Sequence, residues 1–384
     1  MTDALTGTGV VELFCRLAAI DSPPGRERAV ADEVLAWLDR RGLTAVEDDA
    51  GARIGSEIGN LHVALPPTPG ETGTPIFLNA HLDTVPATGP LEPVVAGGVV
   101  RNGGGTILGA DNKSAVAAML IALERIVGER RPHAGVELVL TPMEEVGLRG
   151  AAAFDISRLR AQTGYCYDHA APIGNVVLAA PTQRTLRFVF TGRAAHSGIA
   201  PEQGRSAVLA AARAIASMPL GRIDAATTAN VGLIQGGVAG NIVPPICRVS
   251  AEARSRNLEA LTTQVQAMVD AATHAANQTE CELDTAITSE YEGYRFARSH
   301  PAVQLAVAAL EGEGHEVTFI ESGGGADANV WNAAGLHCVN LCNGMAEIHT
   351  ASEHIAVADL EAMVGVTLRL VNEARTIPAA ISNP

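Results

Sequence analysis

Two histidines and five carboxylates stand at places in this sequence where they can act together: His81, Asp83, Asp111, Glu144, Glu145, Asp168 and His349. His81 and Asp83 fall in NAHLDTV, at the end of the apolar run IFLNAHL (76–82). Their i, i+2 spacing puts both on one side of an extended chain. Asp111 opens a helix-like stretch in GADNKSA, after the Gly-rich RNGGGTILG. Glu144 and Glu145 are neighbours in TPMEEVG, after the run GVELVL (135–140). Asp168 ends GYCYD, and His349 lies in IHTASE, after LHCVNLCN (336–343). Adjacent carboxylates repel and raise each other's proton affinity unless water or positive charge holds them. Imidazole combined with hard oxygen, with no thiolate needed, suits Zn²⁺, Mn²⁺ or Co²⁺. Three or more carboxylates exceed what one tetrahedral zinc requires. Two ions about 3.5–4 Å apart with one bridging carboxylate would use them all. Such a pair polarises a carbonyl and supplies hydroxide near neutral pH.

Taken singly, each residue has a plainer reading. Asp111 alone is a helix N-cap, His81 a satisfied polar group, and the glutamate pair a solvated loop. Asp168 alone is a turn residue, and its neighbour His169 is an alternative ligand. The common placement lifts the set above these readings. Apolar runs at 76–82, 135–140 and 164–168 alternate with helical stretches, notably NKSAVAAMLIALERIV (112–127). That alternation predicts an α/β unit with a mixed, mostly parallel sheet. Each candidate then sits at the carboxyl end of a strand or in the loop after it, where open α/β sheets place their sites. Helical periodicity also covers 8–42, broken by DSPPGRE at 21–27, and a closing helix is expected over 354–375.

The pattern changes near residue 184. RTLRFVFTG (184–192) alternates polar and apolar, as a sheet with one solvated face does. Helix-like 204–217, ANVGLIQGG (229–237), CRVSAEARS (247–255), helix-like 257–277 and CELDTAITS (281–289) follow. The order strand–helix–strand–strand–helix–strand predicts an inserted α+β, ferredoxin-like domain. The expected boundaries are 1–183 with 291–384 for the metal-binding domain and 184–290 for the insertion.

Composition narrows the function classes. The chain has 384 residues, 47% hydrophobic and 18% charged, which suits a folded multidomain protein with a sizeable core. A net charge of −15 argues against nucleic acid or an anionic membrane as partner. The N-terminal MTDALTGTGVVELFCRLAAIDS lacks the basic start of a signal peptide, and no run approaches the roughly 18 apolar residues of a membrane span. Six scattered cysteines without a CxxC pair fit reduced thiols, so a cytoplasmic location is expected.

HLDTV, GADNKSA, MEEVGLRGA, RAAHSG, GVAGNIVP and HTASE, in this order, resemble the M20 family of dinuclear metallo-exopeptidases and deacylases. Within it the chain is most similar to the peptidase T-like, tripeptidase branch, over nearly its whole length. The resemblance implies that His81 and Asp168 hold one ion, Glu145 and His349 the other, and that Asp111 bridges them. It implies Asp83 as the residue orienting His81, Glu144 as general base, and a cis Asp111–Asn112 peptide. HTASE matches the family's His-Ser/Thr-x-x-Glu pattern, whereas HIAVA, beginning at His354, does not; His349 is therefore the expected ligand. In the insertion, the resemblance implies substrate binding by His196, which stabilises an oxyanion in the partner subunit's site, by Asn241, and by Arg254, which takes a carboxylate. It also implies a homodimer joined through this lid-like domain.

The expected function is therefore hydrolysis of the N-terminal peptide bond of short peptides, a tripeptide aminopeptidase using two divalent ions, Zn²⁺ first and Co²⁺ or Mn²⁺ as alternatives. An N-acyl-amino-acid deacylase or a carboxypeptidase-like M20 enzyme shares the same metal chemistry and is the nearest rival. A non-catalytic metal-binding homologue is the rival from another class; it would show a lost base or ligand, and every matched position here keeps a competent residue. The Gly-rich ESGGGADANVWN (321–332), carrying Asp327 and Asn329, lacks the phosphate-loop pattern and is not read as nucleotide-binding.

Overall fold

The computed structural model describes residues 9–377. The stretch weighed against a signal peptide begins in residues 1–8, which lie outside the described residues. The chain divides into two compact units. Of the described residues, one comprises those up to Leu178, Arg295–Ser322 and those from Ala326 on; the other comprises Ala179–Tyr294 with Gly323–Gly325.

The first unit is organised on a mixed sheet. Its strands lie side by side in the order Ala45–Glu47, Leu61–Leu65, Val136–Thr141, Ile76–His81, Thr163–Tyr167, His337–Leu341 and Asn175–Ala180. The four central strands, from Val136–Thr141 to His337–Leu341, run parallel, and antiparallel strands flank them. Ile76–His81 and Val136–Thr141 are buried along their whole length, as parallel strands covered on both faces must be. This is the mostly parallel arrangement that the alternating runs predict.

Over the sheet lies the helix Ala110–Gly128, whose residues from Ala110 to Leu123 are all buried. Its alanine-rich sequence favours helix and lets neighbours approach closely. Val10–Ala18 and Val357–Ala374 pack against it, and Pro301–Gly312 against Val357–Ala374. A small sheet joins the hairpin Pro93–Ala96/Val99–Asn102 to His354–Ala356. The hairpin turns through Gly97 and Gly98, at φ of 59° and 76°, the two-glycine left-handed turn that matches strand twist.

The second unit is a five-stranded antiparallel sheet in the order Gly221–Arg222, Thr227–Gly236, Ile246–Ser255, Thr182–Thr191, Glu282–Tyr291. Helices Ala207–Ser217 and Leu258–Gln278 cover one face. Strand side chains alternate accordingly: Leu186, Phe188, Phe190, Val249, Ala251 and Ala253 form the core with Ala210, Ala214, Met268 and Ala272. Each helix has a side-chain cap at its start. Ser206 accepts from Leu209 N, and Asn257 from Glu259 N and Ala260 N. Among the described residues no helix is long and apolar enough to cross a membrane.

Candidate metal centre

His81 is the last residue of its strand and is 2% exposed. Its Nδ1 lies 2.9 Å from the backbone carbonyl of Asp83. A carbonyl only accepts, so Nδ1 carries the hydrogen and Nε2 faces the carboxylates. From Nε2, Asp111 Oδ1 is 3.2 Å away, Asp168 Oδ1 3.7 Å and Glu144 Oε2 3.9 Å. The other oxygen of Asp111, Oδ2, is 3.3 Å from His349 Nε2, and His349 Nε2 is 3.1 Å from Glu145 Oε1. One carboxylate thus presents each of its oxygens to a different imidazole.

The supporting contacts explain this geometry. Asp83 is fully buried, and its two carboxylate oxygens accept from Glu144 N and Glu145 N, each at 3.0 Å. It shapes the glutamate turn as well as approaching His81, whose Nδ1 is 3.5 Å from Asp83 Oδ1. Asn340, a buried amide in an otherwise apolar strand, accepts from Asp168 N and donates to Asp168 O, both at 2.9 Å. Glu353 accepts from Leu108 N, Gly109 N and Asp111 N at 2.7, 2.8 and 3.0 Å. Met143, just before the pair, and His349 itself both have positive φ, 56° and 63°. Non-glycine residues seldom adopt that region unless surrounding structure holds them there. The Asp111–Asn112 peptide is cis.

Charge is crowded here. Burial, with Asp168, Asp327 and Glu145 nearby, raises the Glu144 carboxyl well above the usual carboxylate range, although His81 opposes this. Burial pushes Asp168 up to about 7 against the pull of His81. Burial acts upward on Asp111 too, but contacts from His349 and His81 outweigh it and hold that carboxyl low. His349 is pushed up to about 10 by Asp111 and Glu145. For His81, burial works downward, yet Glu144, Asp111, Asp168 and Asp83 raise it well above its ordinary value.

The donors fit two divalent cations. His81, Asp111 and Asp168 form one group of ligand atoms within 4.8 Å of one another, and Asp111, Glu145 and His349 form a second. Among the described residues, no Lys or Arg forms an ion pair with Asp111, Glu144, Glu145 or Asp168; only His81 and His349 stand beside four buried or half-buried carboxylates. His354 stands apart, with Nδ1 2.9 Å from Ser352 O.

The three candidates in the second unit are placed differently. His196 and Asn241 lie on paired loops: His196 bridges to Ile242, and Ser197 N donates to Asn241 O at 3.0 Å. His196 is exposed, and its Nδ1 accepts from Gly198 N at 3.2 Å. Arg254 is near the far end of Ile246–Ser255, about 26 Å along an extended strand from its start. It donates Nε and Nη2 to the two oxygens of Glu252 at 3.0 and 2.9 Å. Arg254 is therefore not grouped with His196 and Asn241 within this unit.

Sequence reasoning assigns Glu353, Asn340 and Asp327 no role of their own. The two asparagines in LHCVNLCN, Asn340 and Asn343, are a visible signal. Asp327, buried at the start of Asp327–Ala333, accepts from Thr141 Oγ1 at 2.5 Å and Asn79 Nδ2 at 3.2 Å, and so ties together the two strands that lead to His81 and Glu144.

The model of peptidase family M20/M25/M40 matches residues 77–373. The chain is 37% identical over 365 residues to the Bacillus subtilis protein YqjE, covering 95% of this chain and 98% of that one. Aminopeptidase PepT from Bacillus cereus is similar in structure, with 37% identity, 95% and 98% of the two chains covered and a TM-score of 0.83. A tripeptidase from Staphylococcus aureus superposes with a TM-score of 0.88 at 32% identity, covering 96% of this chain and 98% of its own.

Proposed function

The chain belongs to peptidase family M20/M25/M40, and on that premise we propose that it is a dinuclear metal-dependent aminopeptidase that cleaves the N-terminal peptide bond of short peptides, tripeptides above all. The observation that carries this reading is the double facing of Asp111, with Oδ1 toward His81 and Oδ2 toward His349. The likeness over nearly the whole chain to an aminopeptidase and a tripeptidase supports the substrate class. So does a cleft of about 240 Å³ beside His349, lined by Val85, Ile107 and Thr350 among others, which is a size suited to part of a small peptide.

In this proposal His81 and Asp168 would hold one ion, Glu145 and His349 the other, and Asp111 would serve both. Two divalent ions, zinc first and cobalt or manganese as substitutes, would supply Lewis acidity at a carbonyl and a nucleophile near neutral pH. Glu144 takes a proton from the attacking water and delivers it to the amine nitrogen as the C–N bond breaks. Glu144 and Glu145 divide the work within the turn after Val136–Thr141: Glu144 Oε2 lies 3.9 Å from His81 Nε2, and Glu145 Oε1 3.1 Å from His349 Nε2. Asp83 holds both through their backbone N–H groups.

His196 is proposed to stabilise the oxyanion in the partner subunit's site, with Asn241 beside it, and Arg254 to bind a substrate carboxylate, which would exchange with Glu252. Exposed apolar side chains on the second unit, Ile199 at 78% and Val238 at 79% with Leu233 and Ile234, support a homodimer joined through it. Light scattering should give about twice the 39.6 kDa chain mass; a monomer at micromolar concentration would remove this part. Six free cysteines accord with a cytoplasmic enzyme.

The test is hydrolysis by metal-loaded protein of di-, tri- and tetrapeptides alongside N-acyl amino acids. Tripeptides should be cleaved best, releasing the N-terminal residue. Hydrolysis of acetylated amino acids without tripeptide cleavage would replace this reading with a deacylase.

A further inference from the structure

The helix that presents Asp111 begins without a cap of its own. Its N-cap is Gly109, at φ 77°, which has no side chain to accept from the first N–H groups. One of those groups, Asp111 N, is nevertheless satisfied from far away in sequence, together with Leu108 N and Gly109 N just ahead of the helix. Glu353 is 2% exposed and lies 242 to 245 residues beyond its donors. Its Oε2 accepts from Leu108 N and Gly109 N, and its Oε1 from Asp111 N. An Asp near a helix start ordinarily turns its carboxylate back onto the backbone. Here that place is filled, and Asp111 keeps both oxygens for the imidazoles.

The same residue is tied to the other side of the centre. The loop from Ala346 to His354 is closed by two backbone hydrogen bonds, Ala346 N to His354 O at 3.0 Å and His354 N to Ala346 O at 3.1 Å. It contains His349 in its left-handed conformation and Glu353. Pairing of His354–Ala356 with Val99–Arg101 anchors the base of the loop. Glu353 is thus the part of the His349 loop that grips the backbone of Asp111.

We propose that Glu353 is the positioning residue that sets His349 against Asp111, and that the Asp111–Glu145–His349 site depends on it more than the His81–Asp111–Asp168 site does. The reason is connectivity. His81 and Asp168 are fixed by their own strands and by Asp83 and Asn340. His349 shares a closed loop with Glu353. This proposal rests on the two-ion reading above.

The experiment is metal titration of full-length protein from which metal has been stripped, by calorimetry with elemental analysis after dialysis against buffered free Zn²⁺. Wild type should bind two ions per chain; one or none would sink the two-ion reading itself. Glu353→Ala should keep the first ion near wild-type affinity and weaken the second by about 10–100-fold, as loss of an outer partner does. It should match His349→Ala in which ion it loses. Glu353→Gln, which retains one carbonyl oxygen, should fall between, and it carries the same comparison if Glu353→Ala fails to fold. Two ions at wild-type affinity in both variants would overturn the proposal. So would equal weakening of both ions together with a lower melting temperature of the stripped protein, which is what a purely structural role predicts.

Discussion

At Glu144 and Asp111, loss of a buried carboxylate should leave different signatures. Glu144→Ala should retain two ions and lose roughly 10²–10⁴-fold in kcat, the usual contribution of a general base. Unchanged hydrolysis with both ions bound would rule out Glu144 as the base. Asp111→Ala should lose metal as well as activity, because both imidazoles face that one carboxylate; two ions per chain in this variant would remove Asp111 as the bridge. The protonation of the ligands gives a third test. Asp168 is pushed up to about 7 and His349 to about 10, so below pH 7 the stripped site holds protons where ions must bind. Metal affinity should therefore fall as pH drops through 7, and binding should release protons. Calorimetry in two buffers of different ionisation enthalpy reads this directly; equal heats would refute it.

Among the elements, the turn after Val136–Thr141 depends on Asp83. Asp83→Asn replaces an acceptor of two backbone N–H groups by an amide that leaves one facing a donor. The stripped protein should lose about 1–3 kcal/mol of stability in urea unfolding, and metal affinity should weaken because the glutamates are less well placed. No change in either would show the turn to be held by other means. The elements themselves were largely legible in the sequence. IFLNAHL and GVELVL are mostly apolar runs of strand length, interrupted only by Asn79, His81 and Glu137, and the helix after Asp111 is announced by its alanines. The candidate ligands stand out because each ends such a run, opens the helix or lies in the loop after a strand; their division between two ions comes from the family resemblance. The contacts that fix the ligands were less legible. Glu353 reaches a helix start over 242 residues away, and no periodicity reports a bond of that range. The small sheet escaped too: His354–Ala356 is only three residues long and falls inside 354–375, the stretch expected to be helix, which begins instead at Val357.

For the molecule as a whole, two buried cations would add stability that the polypeptide lacks alone. Binding to the folded state at a hundred times the dissociation constant contributes about 2.7 kcal/mol per site. Chelation should therefore lower the melting temperature, and Zn²⁺ added back should restore it. A melting temperature indifferent to chelator would mean that the carboxylate crowding is relieved some other way. The fold's division into two units implies that this effect should be confined to the transition of the first unit, which holds every proposed ligand. Differential scanning calorimetry with and without metal would show which transition moves; a shift confined to the second unit would contradict the assignment.

The proposed ligands are spread from His81 to His349, with the entire second unit lying between Asp168 and His349. During synthesis the His81–Asp111–Asp168 group is released before the second unit, whereas the Asp111–Glu145–His349 group is finished only after it. The ion at the second group must therefore arrive after the distant segments have met, and such long-range closure is slow. Occupancy of that late site should thus set how much protein becomes active. Protein refolded in chelator should gain activity only when Zn²⁺ is added in an amount that fills both groups; full activity at one ion per chain would contradict this.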